Sequence, residues 1–288
     1  MLPPEILDKI FDHLPVNKGR RTLISCALVA SWWTGPSQRR LFSSVSIDNI
    51  NYQQWMDGVV LSVASRTRLL PYVRSLLHYA SPSNLTPGHL MQNLPNAGEY
   101  FPALCNLRSL TLCNTDIEHI CNETLHTCFS VFRQTLTELS LKGFTTSFSM
   151  LVTVVGYFPN IATLRMSLFM LVPDEKPTPP LPQPLRGKLC ICGFYSASLP
   201  GLADWLAKLD PEYDELVIES VFAVDTEALE RVLQSSADTI KYLRLMTPLQ
   251  RKHFYTLFSP CFLTQRLASQ AEQPLLVSFR NCESWNYS

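Results

Sequence analysis

Thiols and imidazoles at short spacing are the first residues in this 288-residue chain that could do chemistry. His119-Ile-Cys121 and His126-Thr-Cys128 repeat an H-x-C unit, which has the residue types of a zinc site. The apolar periodicity around them predicts a helix, on which each residue advances about 100°. Cys121 and Cys128 then share the apolar face, while each histidine lies about 200° round from its neighbouring cysteine. Four ligands cannot converge on one ion from opposite sides of one helix, so these read as core cysteines and solvated histidines. Cys190-Ile-Cys192 falls on an expected strand, so its two thiols share a face. No nearby histidine supplies a third ligand or a depressed thiol pKa, and inert thiols are the better reading. Asp210, Glu212, Asp214 and Glu215 gather before a strand, as a solvated loop would. G-x-S-x-G, H-E-x-x-H, P-loop and G-x-G-x-x-G patterns do not occur. We therefore expect no catalytic residue, no metal and no cofactor.

Composition narrows the partners. Apolar residues make up 46% and charged residues 17%, a globular balance with material for a continuous core. Lys+Arg and Asp+Glu are equal at 24 each, so no long-range field draws the chain to nucleic acid or an anionic membrane. The longest apolar stretch, 149–172, is interrupted by Gly156, Pro159, Asn160 and Arg165, which argues against a membrane span. Met1-Leu-Pro-Pro-Glu does not resemble a secretory signal, so the nine cysteines read as reduced thiols and the expected location is cytoplasmic, nuclear or both.

The elements that must position any function begin at the N-terminus. Apolar residues at 6, 7, 10, 11 and 14 form one stripe of a helix, with Pro3 and Pro4 in its first turn and Glu5 and Asp8 near the positive end of its dipole. After a turn at 16–19, Leu23, Ile24, Ala27 and Leu28 predict a second helix from about Arg20 to Trp33, stopped by Gly35-Pro36. A short third helix is expected through Arg39, Arg40, Leu41 and Phe42. Two or three short helices in so few residues make a marginal core, and the unit should lean on the rest of the chain or on a partner.

The order of residues carries more than the periodicity. Leu2-Pro3, Glu5-Ile6-Leu7, Ile10-Phe11, Leu14, then Cys26-Ala27-Leu28-Val29 with Trp32, resembles the F-box motif from end to end. Leu41-Phe42 and then Val45 and Ile47 resemble the exit from that motif in F-box proteins of mushroom-forming fungi. The resemblance covers Leu2 to about Ile47. It departs from the family pattern at Trp33, where a basic or polar residue often stands beside the tryptophan. The resemblance implies docking to the Skp-type linker protein of an SCF ubiquitin ligase, and through it to a cullin. Leu2, Pro3, Ile6, Leu7, Leu28, Val29 and Trp32 would face the linker, with Ile10, Phe11 and Leu14 shared between the interface and the motif's own core.

Beyond residue 70 an L-x-x-L-x-L pattern recurs. Its central positions are Leu110, Leu139, Leu164, Leu189, Leu216 and Leu243, spaced 29, 25, 25, 27 and 27 residues apart. Leucine-rich repeats are about 20–29 residues long. Leu70/Val73/Leu76 and Val277/Phe279 look like outlying members. Helical patterns lie between, at Ile117–Phe132, Leu202–Leu209 and Ala228–Leu233. The expected fold is α/β: a small all-α F-box over 1–46, then an irregular leucine-rich-repeat solenoid over 47–288, its parallel strands lining a concave face. Six prolines in 173–184 make an extended insertion.

A target protein would meet that concave face at Lys142, Arg165, Ser167, Cys190, Cys192, Glu219, Arg244, Met246 and Arg280. The leading reading is a substrate-recognition adaptor of an SCF ligase. The alternatives are a repeat scaffold acting outside a ligase and a hydrolase-like α/β enzyme whose strand spacing imitates repeats.

Overall fold

The computed structural model describes residues 4–14, 16–48, 51–55, 57–58, 68–79, 104–114, 126, 129–167, 170–172, 186–193, 212–219, 233, 239–246 and 276–279. The chain divides into two compact units, one of 1–113 with 121–136 and the other of 114–120 with 137–288.

The first unit opens with α1 (Pro4–Asp12), α2 (Val16–Val29) and α3 (Ser31–Leu41). Leu7 and Phe11, one turn apart on α1, meet Leu23 of α2 in a small core, against which Leu14, Cys26, Trp33 and Leu41 pack. Arg40 ties α3 to the end of α1: its guanidinium donates to the carbonyls of Asp12 (3.0 Å) and Leu14 (3.2 Å) and approaches the Asp12 carboxylate at 3.7 Å. Cations at a helix C-terminus satisfy orphan carbonyls and complement the dipole.

Two helix boundaries differ from expectation. The second helix starts at Val16, because Gly19 lies inside it and packs on Leu14, where a Cβ would come within 3.2 Å of the Leu14 Cβ. It ends at Val29 and not at Gly35-Pro36. Ala30 takes an extended conformation (φ −152°, ψ 142°), and α3 runs on through Gly35 and Pro36. Thr34 Oγ1 donates across this break to the Ala27 carbonyl at 3.0 Å. One internal proline removes a single ladder bond; the break at Ala30 turns Trp33 onto Phe11, with ring centroids 6.1 Å apart.

Among the described residues this unit also holds three parallel strands: β1 (Ser44–Asp48), β2 (Ser75–Tyr79) and β3 (Ser109–Cys113). Their registers place Val45, Leu76 and Leu110 in one lateral row and Ile47, His78 and Leu112 in the next. A four-residue helix, α4 (Tyr52–Trp55), comes after β1.

The second unit holds β4 (Glu138–Lys142), β5 (Thr145–Ser147), α5 (Phe148–Tyr157), β6 (Thr163–Ser167), β7 (Met170–Val172), β8 (Arg186–Cys192), β9 (Glu212–Glu219), β10 (Tyr242–Met246) and β11 (Leu276–Phe279). Six of them pair in parallel in the order β4-β6-β8-β9-β10-β11, and β5 pairs with β7 separately. The register sets Leu139, Leu164, Leu189, Leu216, Leu243 and Val277 side by side. Leu141, Met166, Ile191, Ile218, Leu245 and Phe279 form the next row. Among the described strands neither unit's order reverses, so no crevice of the doubly wound kind is formed. The fold is α/β with open parallel pairing.

One hydrogen-bond device recurs ahead of the strands. The carbonyl just before a strand accepts from the chain entering the next. Ser43 accepts from Arg74 and Ser75 (2.9 Å each), Arg74 from Arg108 and Ser109, and Thr137 from Ala162 and Thr163. Ala162 in turn accepts from Lys188 at 2.7 Å. Gly187 permits that last approach: with φ +80°, a Cβ there would sit 2.3 Å from the Ala162 carbonyl oxygen.

The helix α5 is not among the sequence expectations. Ser147 caps it by accepting from the Met150 N–H at 3.3 Å, and it buries Leu151, Val152, Val154 and Val155. Its residues are apolar nearly all round, which blurs the one-sided stripe that betrays a helix. Of the helical patterns expected at 117–132, 202–209 and 228–233, only His126, Phe129 to Phe132 and Leu233 are among the described residues: Phe129, Phe132 and Leu233 are buried, and Ser130–Phe132 form a short 3-10 turn. The proline-rich segment 173–184 lies outside the described residues.

Candidate functional site

The apolar stripe of α1 is wider than its core contact. Successive helix residues are about 100° apart, so while Leu7 and Phe11 turn inward, Ile6 and Ile10 lie to one side of them and face outward. α2 repeats the arrangement: Leu23 is buried, and Ile24 and Leu28, one turn apart, face outward. Exposure is 42% at Ile6, 46% at Ile10, 46% at Ile24, 82% at Leu28, 71% at Val29 and 36% at Trp32. Trp32 is held by the edge-to-face ring of Trp33 at 5.5 Å, and Trp33 is held by Phe11. Trp33 is thus the anchor of the exposed tryptophan.

Six large apolar side chains on the three short helices are thus open to solvent. Two of the residues expected to face a partner do not fit that expectation as stated. Leu7 is 1% exposed and belongs to the internal core; Phe11, expected to be shared, is 3% exposed and also internal. The reason is geometric. A two-sided helix must give one side to its own core, and Leu7 and Phe11 are the pair aligned with Leu23. Leu14 is half-buried against the same core. Leu2 and Pro3 lie outside the described residues. Ile24 is an addition: its spacing places it on the helix stripe, and only the fold places it at the surface.

The strand face opposite the leucine rows is the second candidate. Backbone register brings Ser140, Arg165, Cys190, Val217, Arg244 and Ser278 into one row, and Lys142, Ser167, Cys192, Glu219 and Met246 into another. Lys142 and Arg165 are exposed, and Ser167, Cys192 and Arg244 are half-buried. Cys190 is only 2% exposed, so it is not an open contact point; Ser140 and Val217 in its row are buried too. Strands about 4.8 Å apart let long side chains shade short neighbours between them. The side chains of Glu219 and Met246, and Arg280 altogether, lie outside the described residues. Sequence reasoning missed an ion pair on this face: Lys188 Nζ donates to Glu215 Oε1 across β8 and β9. The signal was present, since each residue precedes the central leucine of its repeat.

Among the described residues no three of His, Cys, Asp and Glu gather as a metal-binding group. His119, Cys121 and Cys128 lie outside the described residues, and His126 is exposed. His78 sits in the Ile47–His78–Leu112 row, with Nδ1 buried and unpartnered, and burial lowers its pKa to about 4. Among the described residues no helix is long and apolar enough to cross a membrane. No protein-family model matches the chain, and no curated protein matches it.

Proposed function

We propose that the protein is a substrate-recognition adaptor of an SCF-type ubiquitin ligase. Its N-terminal helices dock the Skp-type linker, and a leucine-rich-repeat solenoid holds a target protein. The observation that carries the reading is the outward apolar set Ile6, Ile10, Ile24, Leu28, Val29 and Trp32, on a helical unit whose order of residues resembles the F-box. The sequential parallel strands, their leucine rows and the repeated pre-strand hydrogen bonds support the repeat reading. Lys142, Arg165 and Arg244 are the polar residues best placed on the strand face for a target.

Magnitudes bear on the docking. A large apolar side chain taken fully out of water contributes about 1.5–3 kcal/mol. The six together still expose the equivalent of about three such side chains, worth about 5–10 kcal/mol. Association costs about 4–15 kcal/mol. The six residues therefore supply the core of an interface, and polar contacts or Leu2 and Pro3 must add to them. The adaptor itself makes no bond; it raises the effective concentration of target at the ligase.

Co-purification of the full chain with the purified linker tests this reading. Wild type is expected to retain the linker and Leu28→Asp/Val29→Asp to lose it while keeping its circular dichroism. No retention by wild type, or equal retention by the variant, contradicts it. Retention of a target without the linker would instead favour a repeat scaffold outside the ligase. A Leu7→Asp variant is unsuitable, because a charge in the internal core unfolds the helices.

A further inference from the structure

Lys142 and Arg165 stand on the neighbouring strands β4 and β6 of the second unit. The register that pairs Ser140 with Arg165 and Lys142 with Ser167 makes the two cations diagonal neighbours. A rise of about 3.3 Å per residue and about 4.8 Å between strands put their backbones about 8 Å apart. Residues two apart on a strand share a face, so Ser140, Lys142, Arg165 and Ser167 mark four corners of one patch. Its cations lie on one diagonal and its hydroxyls on the other. Lys142 and Arg165 are exposed.

Like charges set side by side on a sheet repel. Among the described residues neither Lys142 nor Arg165 is in an ion pair. Glu138, two residues before Ser140 and diagonal to Arg165 on the other side, is exposed and not bridged to it. Lys188 on the next strand differs, since Glu215 already satisfies it. Between the two cations, Ser140 is only 7% exposed, and its Oγ is buried with no hydrogen-bond partner among the described residues. A buried hydroxyl left without a partner is a cost to the fold that an arriving acceptor removes.

We propose that this patch receives a carboxylate side chain from an acidic segment of the target protein. Arg165 grips the two carboxylate oxygens as a fork, and Lys142 supplies the second charge. The Ser140 hydroxyl donates once the longer side chains that shade it turn towards the ligand. Guanidinium forks match carboxylates in pairs, and such charge-assisted bonds are the strong ones. An acidic segment relieves the repulsion between the cations, whereas a basic one adds to it. The inference rests on the strand face being the target surface and adds the chemistry that is read there.

Fluorescence anisotropy of the full chain tests it with a labelled Gly-Ser peptide carrying three central glutamates. The same peptide with glutamines in their place is the reference, at constant ionic strength. Saturable binding of the glutamate peptide is expected, with the glutamine peptide at least about tenfold weaker. Lys142→Gln/Arg165→Gln should remove that preference, while Lys241→Gln, which removes an exposed cation elsewhere in the unit, should keep it. Glu138→Gln should tighten binding, a sign that a damaged fold would not produce. Ser140→Ala should weaken binding without lowering the melting temperature, since it deletes a hydroxyl that the free fold does not use. All these variants should retain the Skp-type linker as wild type does, so failure here and failure of linker docking are read separately. No saturable binding by wild type, equal affinity for the glutamine peptide, or a Lys241→Gln loss as large as that of the double variant overturns the proposal.

Discussion

Single residues divide into those that hold the fold and those left facing water, and neighbouring positions fall on opposite sides of that division. Ile6 and Leu7 are adjacent in sequence, yet one is open and the other sealed. Leu7→Ala should cost about 2–5 kcal/mol of unfolding free energy, while Ile6→Ala should change stability by less than about 1 kcal/mol; urea unfolding of both checks the contrast. His78 gives a pH dependence. Its folded pKa is lowered from 6.5 to about 4 by burial, so the unfolded chain takes up a proton first as pH falls. Stability is therefore full above pH 6.5, declines between 6.5 and about 4, and levels off below, by at most about 3 kcal/mol. Thermal melts across that range should show the decline in wild type and a flatter profile in His78→Leu. The sequence marks the stripe containing Ile6 and Leu7 but not which side of it is inward, because that depends on where Leu23 arrives from a second helix. The same limit applies to Cys190, whose burial is decided by neighbours about 25 residues away in either direction.

Helices and strands differ in how plainly they can be read. Leu110, Leu139, Leu164, Leu189, Leu216 and Leu243, the central positions of the L-x-x-L-x-L pattern, all lie on strands, and parallel pairing sets the last five side by side. The helices are less legible. α5 is apolar around its circumference, and the start of α2 is hidden by Gly19, a residue that elsewhere signals a turn. Pro36 misleads in the same way: it is a helix breaker by type, but α3 accommodates it. Two substitutions probe single elements. Ser147→Ala removes the side-chain cap of α5 and should cost about 1 kcal/mol in a urea titration. Gly187→Ala forces a Cβ against the Ala162 carbonyl in a left-handed backbone conformation, and should cost well over 1 kcal/mol by the same assay, with the loss centred on β8 in hydrogen exchange.

At the scale of the whole molecule, a helical unit with outward apolar residues precedes a set of parallel strands with a polar face. The helices and β1 to β3 fall in one compact unit, while the small core of Leu7, Phe11 and Leu23 is built from helix residues. The polar face is not a uniform target surface, since Cys190 and Val217 are buried within it and Lys188 and Glu215 neutralise each other. Under the proposed function, a bound target would be read mainly by Lys142, Arg165 and Arg244. The most direct measurement is hydrogen exchange of the full chain with and without the purified Skp-type linker. Slowed exchange in peptides covering α1, the second half of α2 and the start of α3, with the strands of the second unit unchanged, is the predicted result. No slowing, or slowing confined to the strands, contradicts it.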